Sequence, residues 1–494
     1  GHCGMPLTML VSRSSELLET DESTVEAAVH NGNTSDFLVM ETIEDEKLCF
    51  LSKLHACEKG ILESIRTFTK SEPALDKKDM RKALSKLDDE FDFILSREQK
   101  KAIQSSFDSN FSVITGGPGV GKTTIIRGLV RTLKEARIKF ALCAPTGRAA
   151  KRLEEASEDE ATTIHRLLEF SPDGSFKKNG KNPLKENAII CDESSMIDVE
   201  LMHALFNAMG PGTAIILIGD IDQLPPVGPG QPFRDIINSG VVNISYLQEN
   251  FRQSSNSGII QAAVKVNSGH LPEAGTDANT DDFLMIVRTG SSSIIRGIEE
   301  FFERLPDLRG GRYNPFNDVQ ILTPMNKGEL GTSNLNTIIQ DILNPDHSEG
   351  VKLFEHTLAR GDKVIQVKNN YEHNVFNGDI GKVEECNPGD GTVKISFDSQ
   401  KVTYKKSDLT SNLSLAYAIT IHKSQGSEYP VVLLIVANEH HFMLARNLVY
   451  TGITRGRELV FVIGEKNALH SAARKNRNTK RWTLLSERLN ETNL

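Results

Sequence analysis

Gly116-Gly-Pro-Gly-Val-Gly-Lys122-Thr123 combines four glycines with a lysine and a hydroxyl at a spacing that suits the holding of a phosphate. Gly117, Gly119 and Gly121 let consecutive backbone N–H groups turn around the anion. Lys122 would neutralise the β- and γ-phosphates, Thr123 would give an oxygen to Mg²⁺, and Thr124 follows in the same turn. Downstream, the apolar run Asn187-Ala-Ile-Ile-Cys191 ends on Asp192-Glu193. One carboxylate there can hold the ion through its water shell, and the other can orient or deprotonate an attacking water. Alone, such a pair is often only a helix cap. Joined to the loop upstream, it points to hydrolysis of ATP.

These groups need a frame that brings loop ends together. Phe111–Thr115, Phe140–Ala144, Asn187–Asp192 and Ala214–Gly219 are short apolar runs separated by helical stretches, which predicts an α/β fold with a parallel sheet covered on both faces. Val319–Thr323, Val431–Val436 and Leu459–Ile463 predict a second such sheet. Between them, 361–405 alternates apolar and polar residues and carries Asn377-Gly and Pro388-Gly-Asp-Gly turns, predicting an inserted small β-barrel. The turn formers and lysines of Ser171–Pro183 predict a small hairpin within 169–188. Leu54, Ile61, Leu62 and Ile65 recur at helical spacing, and residues 1–95 are expected to form a separate helical domain. The remaining boundaries follow: 96–245 for the first sheet domain, 246–360 with 406–494 for the second.

Composition sets the outer limits. The longest apolar run, Val431–Ala437, is far short of the roughly 20 residues that cross a bilayer. Six cysteines at 3, 49, 57, 143, 191 and 386 form no CxxC pair and read as free thiols of a reducing cytoplasm. The net charge of −9 at first speaks against a nucleic-acid partner. Residues 1–95, however, hold 11 basic and 19 acidic residues, leaving 46 basic and 47 acidic in the rest. The larger part is therefore neutral, with room for a local basic groove.

Further blocks carry a resemblance. Gly219-Asp-Ile-Asp-Gln-Leu-Pro-Pro226, Gln248-Glu-Asn-Phe-Arg252, Ala418-Ile-Thr-Ile-His-Lys-Ser-Gln-Gly-Ser-Glu428 and Tyr450-Thr-Gly-Ile-Thr-Arg-Gly-Arg457 follow in this order. With the phosphate loop, they resemble the RecD-like branch of superfamily-one DNA helicases over roughly residues 95–465. The resemblance implies two RecA-like motor domains with ATP and Mg²⁺ between them. It implies that Gln99 reads the adenine edge, that Gln223 senses the γ-phosphate, and that Arg252 and Arg455 are arginine fingers. Gln425, Gly426 and Glu428 would contact phosphate and ribose. Pro145, Thr146, Arg148, Thr163 and His165 would grip a DNA strand from the first motor domain, and Thr420, His422 and Ser424 from the second. The insertion at 169–188 would be the strand-separating hairpin. Glycines at 452 and 456 depart from the small residues such as Ala common there, loosening that turn. Gly1-His-Cys-Gly-Met-Pro-Leu7 resembles a stretch midway along the standalone long form, which implies a further N-terminal region. The expected activity is a cytoplasmic, monomeric helicase moving 5′→3′ on single-stranded DNA, unwinding tailed duplexes in repair or recombination. Its acidic N-terminal domain would be open to a protein partner. The alternatives are the motor subunit of a multi-subunit exonuclease, or a nucleic-acid-binding NTPase module that does not unwind.

Overall fold

A computed structural model describes residues 1–43, 46–87, 95–210, 212–249, 257–353, 356–370, 372–397, 400–476 and 481–491. The first motor domain is a six-stranded parallel sheet in the order Ala161–Thr163, Phe140–Ala144, Ala188–Cys191, Ala214–Gly219, Phe111–Gly116, Asn243–Leu247. Ile114, Ile189, Ile190, Ile215 and Ile216 are fully buried, as residues of a sheet covered on both faces must be. The register sets three strand ends side by side. The phosphate loop, Asp192-Glu193 and Asp220–Gln223 therefore emerge along one edge, where parallel sheets carry their ligands.

The second motor domain is a five-stranded parallel sheet ordered Phe283–Val287, Gly456–Gly464, Tyr429–Val436, Val319–Thr323, Ala418–Thr420. The inserted β-rich segment is a five-stranded antiparallel sheet whose last strand, Leu413–Leu415, lies beyond the expected boundary at 405. Leu413–Leu415 pairs with Lys363–Gln366 across a helical turn, Lys406–Asn412, a closure that strand alternation alone does not announce.

Two expectations need correction. Residues 1–95 are not all helical. Gly4–Pro6, Leu38–Ile43 and Glu46–Leu51 form a three-stranded antiparallel sheet beside the helices Leu7–Leu18, Glu22–Thr34 and Ser52–Lys70. The end of the chain also leaves the second motor domain. Leu484, Leu485 and Leu489 are buried in one core with Ile61, Ile65 and Met202. The Trp482 carbonyl accepts the Cys3 and Gly4 amides at 2.9 and 3.0 Å. The Arg481 guanidinium donates to the carbonyls of Pro226, Gly228 and Gly230 at 2.6–2.7 Å.

The insertion after Phe170 is a pair of tight turns rather than a long ladder. Phe170 bridges Phe176, and Asn179 bridges Asn182. Residues 172–175 at the first turn and 180–182 at the second are exposed. Phe176 packs against the first domain's core, Leu184 is buried, and its amide donates to the Ala208 carbonyl at 2.8 Å.

Candidate nucleotide site and strand contacts

The phosphate loop turns through Gly119 and Gly121, both at φ +78°, a conformation that side chains with a Cβ resist. Lys122 then opens the helix Lys122–Glu135, and its ammonium donates to the Gly116 and Gly117 carbonyls at 2.6 and 2.9 Å. The amine is thus folded over the mouth of the loop, with the helix N-terminus adding its positive end.

A cleft of about 510 Å³ opens above the loop. Gly117, Gly119, Gly121, Lys122, Thr123 and Thr124 line it, with Asp192, Glu193 and Gln223. Gly426, Glu428 and Arg455 of the second motor domain face them. Burial, followed by the adjacent Glu193 charge, pushes the Asp192 carboxyl up to about 6, against the pull of Lys122 and Arg152. Glu193 sits at φ +50°, uncommon for a residue with a Cβ, and a 3₁₀ turn over Ser194–Met196 follows it. The Ser194 hydroxyl fastens that turn to the Cys191 carbonyl at 2.9 Å. The Thr123 hydroxyl and the Asp192 carboxylate share one wall, and their hard oxygens fit Mg²⁺.

Gln223 donates to Asp220 at 3.3 Å, and its own carbonyl oxygen is buried without a partner. An acceptor left open on the cleft wall suits the hydrogen of a water. Arg455 is 3% exposed and held by the Thr451 carbonyl, the Ser427 carbonyl and the Thr454 hydroxyl at 3.1–3.2 Å. Its guanidinium therefore reaches the cleft in a fixed pose. Arg252 lies outside the described residues.

Two expected nucleotide contacts stand off the cleft wall. Gln99 closes a capping box with Ser96 and donates to the Val120 carbonyl at 3.3 Å. A Cβ on Gly121 would collide with its amide, so Gln99 braces the loop from behind. Gln425 reaches the Leu224 carbonyl at 3.2 Å.

Four residues that the sequence reading passed over join the site. Arg152 donates to the Gly426 carbonyl at 3.1 Å and pairs with Glu428 at 3.3 Å, bridging the two motor domains. With Ala149, Leu153 and Ala156 it forms one stripe of the helix Gly147–Ser157 along the cleft, a spacing readable in the sequence. Tyr450 and Asp220 are both buried, and the Tyr450 hydroxyl donates to the Asp220 carboxylate at 2.9 Å. The same carboxylate oxygen receives the Gln223 amide. Next to it, the Thr451 hydroxyl accepts the Leu224 amide at 3.0 Å.

The expected strand contacts divide. Thr146 and Thr163 cap helices, accepting the amides of Ala149 and Arg166. Thr163 and Arg166 line a second cavity with Asn374 and Phe376 of the inserted sheet, where Pro145 closes the strand before them. Phe376 lies so close over Gly147 that a Cβ there would clash. Tyr371 of the same segment lies outside the described residues. His165 stacks against Phe170 and Phe176 at ring separations of 5.4 and 5.8 Å, and burial lowers its pKa. Arg148 donates to the Tyr429 hydroxyl at 3.1 Å. In the second domain, the Thr420 hydroxyl accepts the Lys423 amide, and burial lowers the pKa of His422. Ser424 is fully buried, and its hydroxyl is committed to the Ile421 carbonyl at 2.7 Å.

Among the described residues, no helix is long and apolar enough to cross a membrane. Three family models match: an AAA domain over 99–229, the SH3 domain of ATP-dependent RecD-like DNA helicases over 335–397, and the C-terminal domain of UvrD-like helicases over 415–463. The ATP-dependent RecD2 DNA helicase of Deinococcus radiodurans is 34% identical over 93% of this chain, and the match spans 62% of that protein's own length. The RecBCD enzyme subunit RecD of Mycobacterium tuberculosis is 30% identical over 76% of this chain and 70% of its own. A solved structure of Bacteroides Pif1 bound to single-stranded DNA superposes with a TM-score of 0.47 at 19% identity, covering 76% of this chain and 94% of that one. By its order of motifs, its matched domains and its curated relatives, the chain belongs to the RecD-like family of DNA helicases.

Proposed function

We propose that this chain is an ATP-hydrolysing motor that moves 5′→3′ along single-stranded DNA and unwinds duplexes carrying a 5′ tail. One observation carries the reading. Lys122, Asp192, Glu193 and Gln223 on one motor domain face Glu428 and Arg455 on the other across a single cleft. A nucleotide held there touches both domains, so its arrival and cleavage change how they meet.

The roles follow from chemistry. The loop amides and Lys122 hold the β- and γ-phosphates, and Arg455 balances charge on the transferring group. Glu193 takes a proton from water that Gln223 orients. Mg²⁺, held by Thr123 and Asp192, supplies charge neutralisation on the phosphate oxygens. Asp220 links Gln223 to Tyr450, giving the second domain a report of what the first has bound. Thr146, Arg148, Thr163, His165, Thr420 and His422 are the proposed strand contacts, working through phosphates and so without sequence preference.

The test is unwinding of 5′-tailed against 3′-tailed duplexes by the purified chain with ATP and Mg²⁺. Unwinding of the 5′-tailed substrate alone supports the reading. DNA-stimulated hydrolysis with no unwinding of either substrate favours a motor subunit that needs partners. No stimulation by DNA removes the motor reading.

A further inference from the structure

A second cavity, of about 520 Å³, lies where three parts of the molecule meet. The helix Gly147–Ser157 of the first motor domain gives Arg148. Phe316 and Tyr429 come from the second motor domain, and Lys363 and Lys382 from the inserted sheet. It shares a single wall residue, Glu428, with the nucleotide cleft.

Arg148, Lys363 and Lys382 have no carboxylate partner among the described residues. Arg148 reaches the Tyr429 hydroxyl and lies 5.1 Å from that ring's centre. The Lys363 ammonium donates to the Val319 carbonyl at 3.0 Å, and the Lys382 ammonium has no hydrogen-bond partner among the described residues. Both ammonium groups lie over the Phe316 ring, at 5.7 and 5.2 Å. Lys363 is 3% exposed. Burial and the like charge of Arg148 push its ammonium down to about 7, with Asp318 pulling the other way.

The acids on the same wall are engaged elsewhere. Glu384 pairs with Lys401 at 2.8 Å, Glu428 with Arg152 at 3.3 Å, and Asp379 accepts the Phe376 amide at 2.7 Å. A buried cation without a counter-charge is costly, and three cations converge here, one from the first motor domain and two from the inserted sheet.

We propose that this cavity is a second anion site, which takes a phosphate group on Arg148, Lys363 and Lys382, apart from the nucleotide cleft. The guanidinium offers a planar fork and the two ammonium groups offer point charges, the donor set that phosphate oxygens favour. A phosphate seated there ties the inserted sheet to the first motor domain. Through Arg148, also a proposed strand contact, the assignment rests in part on the helicase reading, yet it needs neither hydrolysis nor unwinding.

The test is calorimetric titration of inorganic phosphate into the full chain, with saturating Mg-ADP present to occupy the nucleotide cleft. One equivalent should bind. Lys382→Gln, a change at an exposed position, should weaken it at least fivefold, and Lys363→Met should abolish it at an unchanged melting temperature. Absence of binding, or binding unchanged in Lys382→Gln, overturns the proposal even where Lys363→Met fails to fold. A competition arm with oligo-dT identifies the source: displacement assigns the site to a strand's backbone phosphate, and coexistence assigns it to a free phosphate anion.

Discussion

The molecule has two seams, and they are built differently. Between the motor domains, the contacts around the cleft are largely polar: Arg152 to Gly426 and Glu428, Tyr450 to Asp220, Thr451 and Gln425 to the Leu224 backbone, beside the Leu224 side chain buried in a second-domain core. Where the chain's end meets the first motor domain, Leu484, Leu485 and Leu489 share a continuous apolar core. There Arg488 also reaches Glu41, and Arg481 holds three carbonyls. A polar seam around a cavity can separate and re-form at little cost, because water replaces its hydrogen bonds. An apolar seam cannot, because separating it exposes side chains to water. The first is a working surface and the second is a permanent one.

The sharpest way to break this contrast is to remove chemistry from the first seam without touching packing. Glu193→Gln should lower ATP turnover by about 10²–10⁴-fold, the usual contribution of a general base, while nucleotide still binds. Phosphate release and equilibrium dialysis measure the two. Loss of binding as well would make Glu193 structural.

Leu485→Ala attacks the other seam. A leucine 1% exposed in a packed core should cost about 2–5 kcal/mol of stability in denaturant titration. ATP turnover per folded molecule should hold. Unchanged stability would show that the tail is dispensable.

Tyr450→Phe removes a single buried oxygen from the working seam. The ratio of DNA-stimulated to basal turnover should fall about tenfold, in line with the roughly 1.5 kcal/mol of a hydrogen bond to a charged group. Parallel loss of both rates would reduce Tyr450 to a structural support.

The smallest effect concerns pH. Burial pushes the Asp235 carboxyl, which accepts the Thr483 hydroxyl at 2.9 Å, up to about 7. An acid raised on folding binds its proton more tightly in the native state. Its contribution is present below the unfolded value of 3.8 and is lost as pH rises through about 7. Melting temperature should therefore decline across pH 4–7 in this seam, and Asp235→Asn should flatten the decline. An unchanged slope would place the titration elsewhere.

The same contrast explains what the sequence could disclose. The phosphate loop and Asp192-Glu193 are local: glycine spacing and an apolar run ending in acids state their own geometry. Arg152 was legible too, since 149, 152, 153 and 156 mark a helical stripe once the helix is granted. Gln99, expected to read the adenine edge, uses its carboxamide oxygen in a capping box that Ser96-Arg-Glu-Gln99 spells out, so two local roles share one residue type. The N-terminal sheet stayed hidden because Gly4–Pro6 is three residues long and finds its partner more than forty positions away. The tail was hidden more deeply. Trp482 meets His2 across 480 positions, and no local pattern encodes such a pairing.

Arg481 fastens the chain to the first motor domain at Pro226, Gly228 and Gly230, immediately beyond the Gln223-Leu-Pro-Pro226 segment of the nucleotide cleft. Past Arg481, Leu484, Leu485 and Leu489 sink into the first domain's apolar core. A change at the nucleotide cleft therefore leaves this anchorage untouched: the chain crosses back to the first domain through residues that do not line the cleft where the phosphate loop meets Arg455.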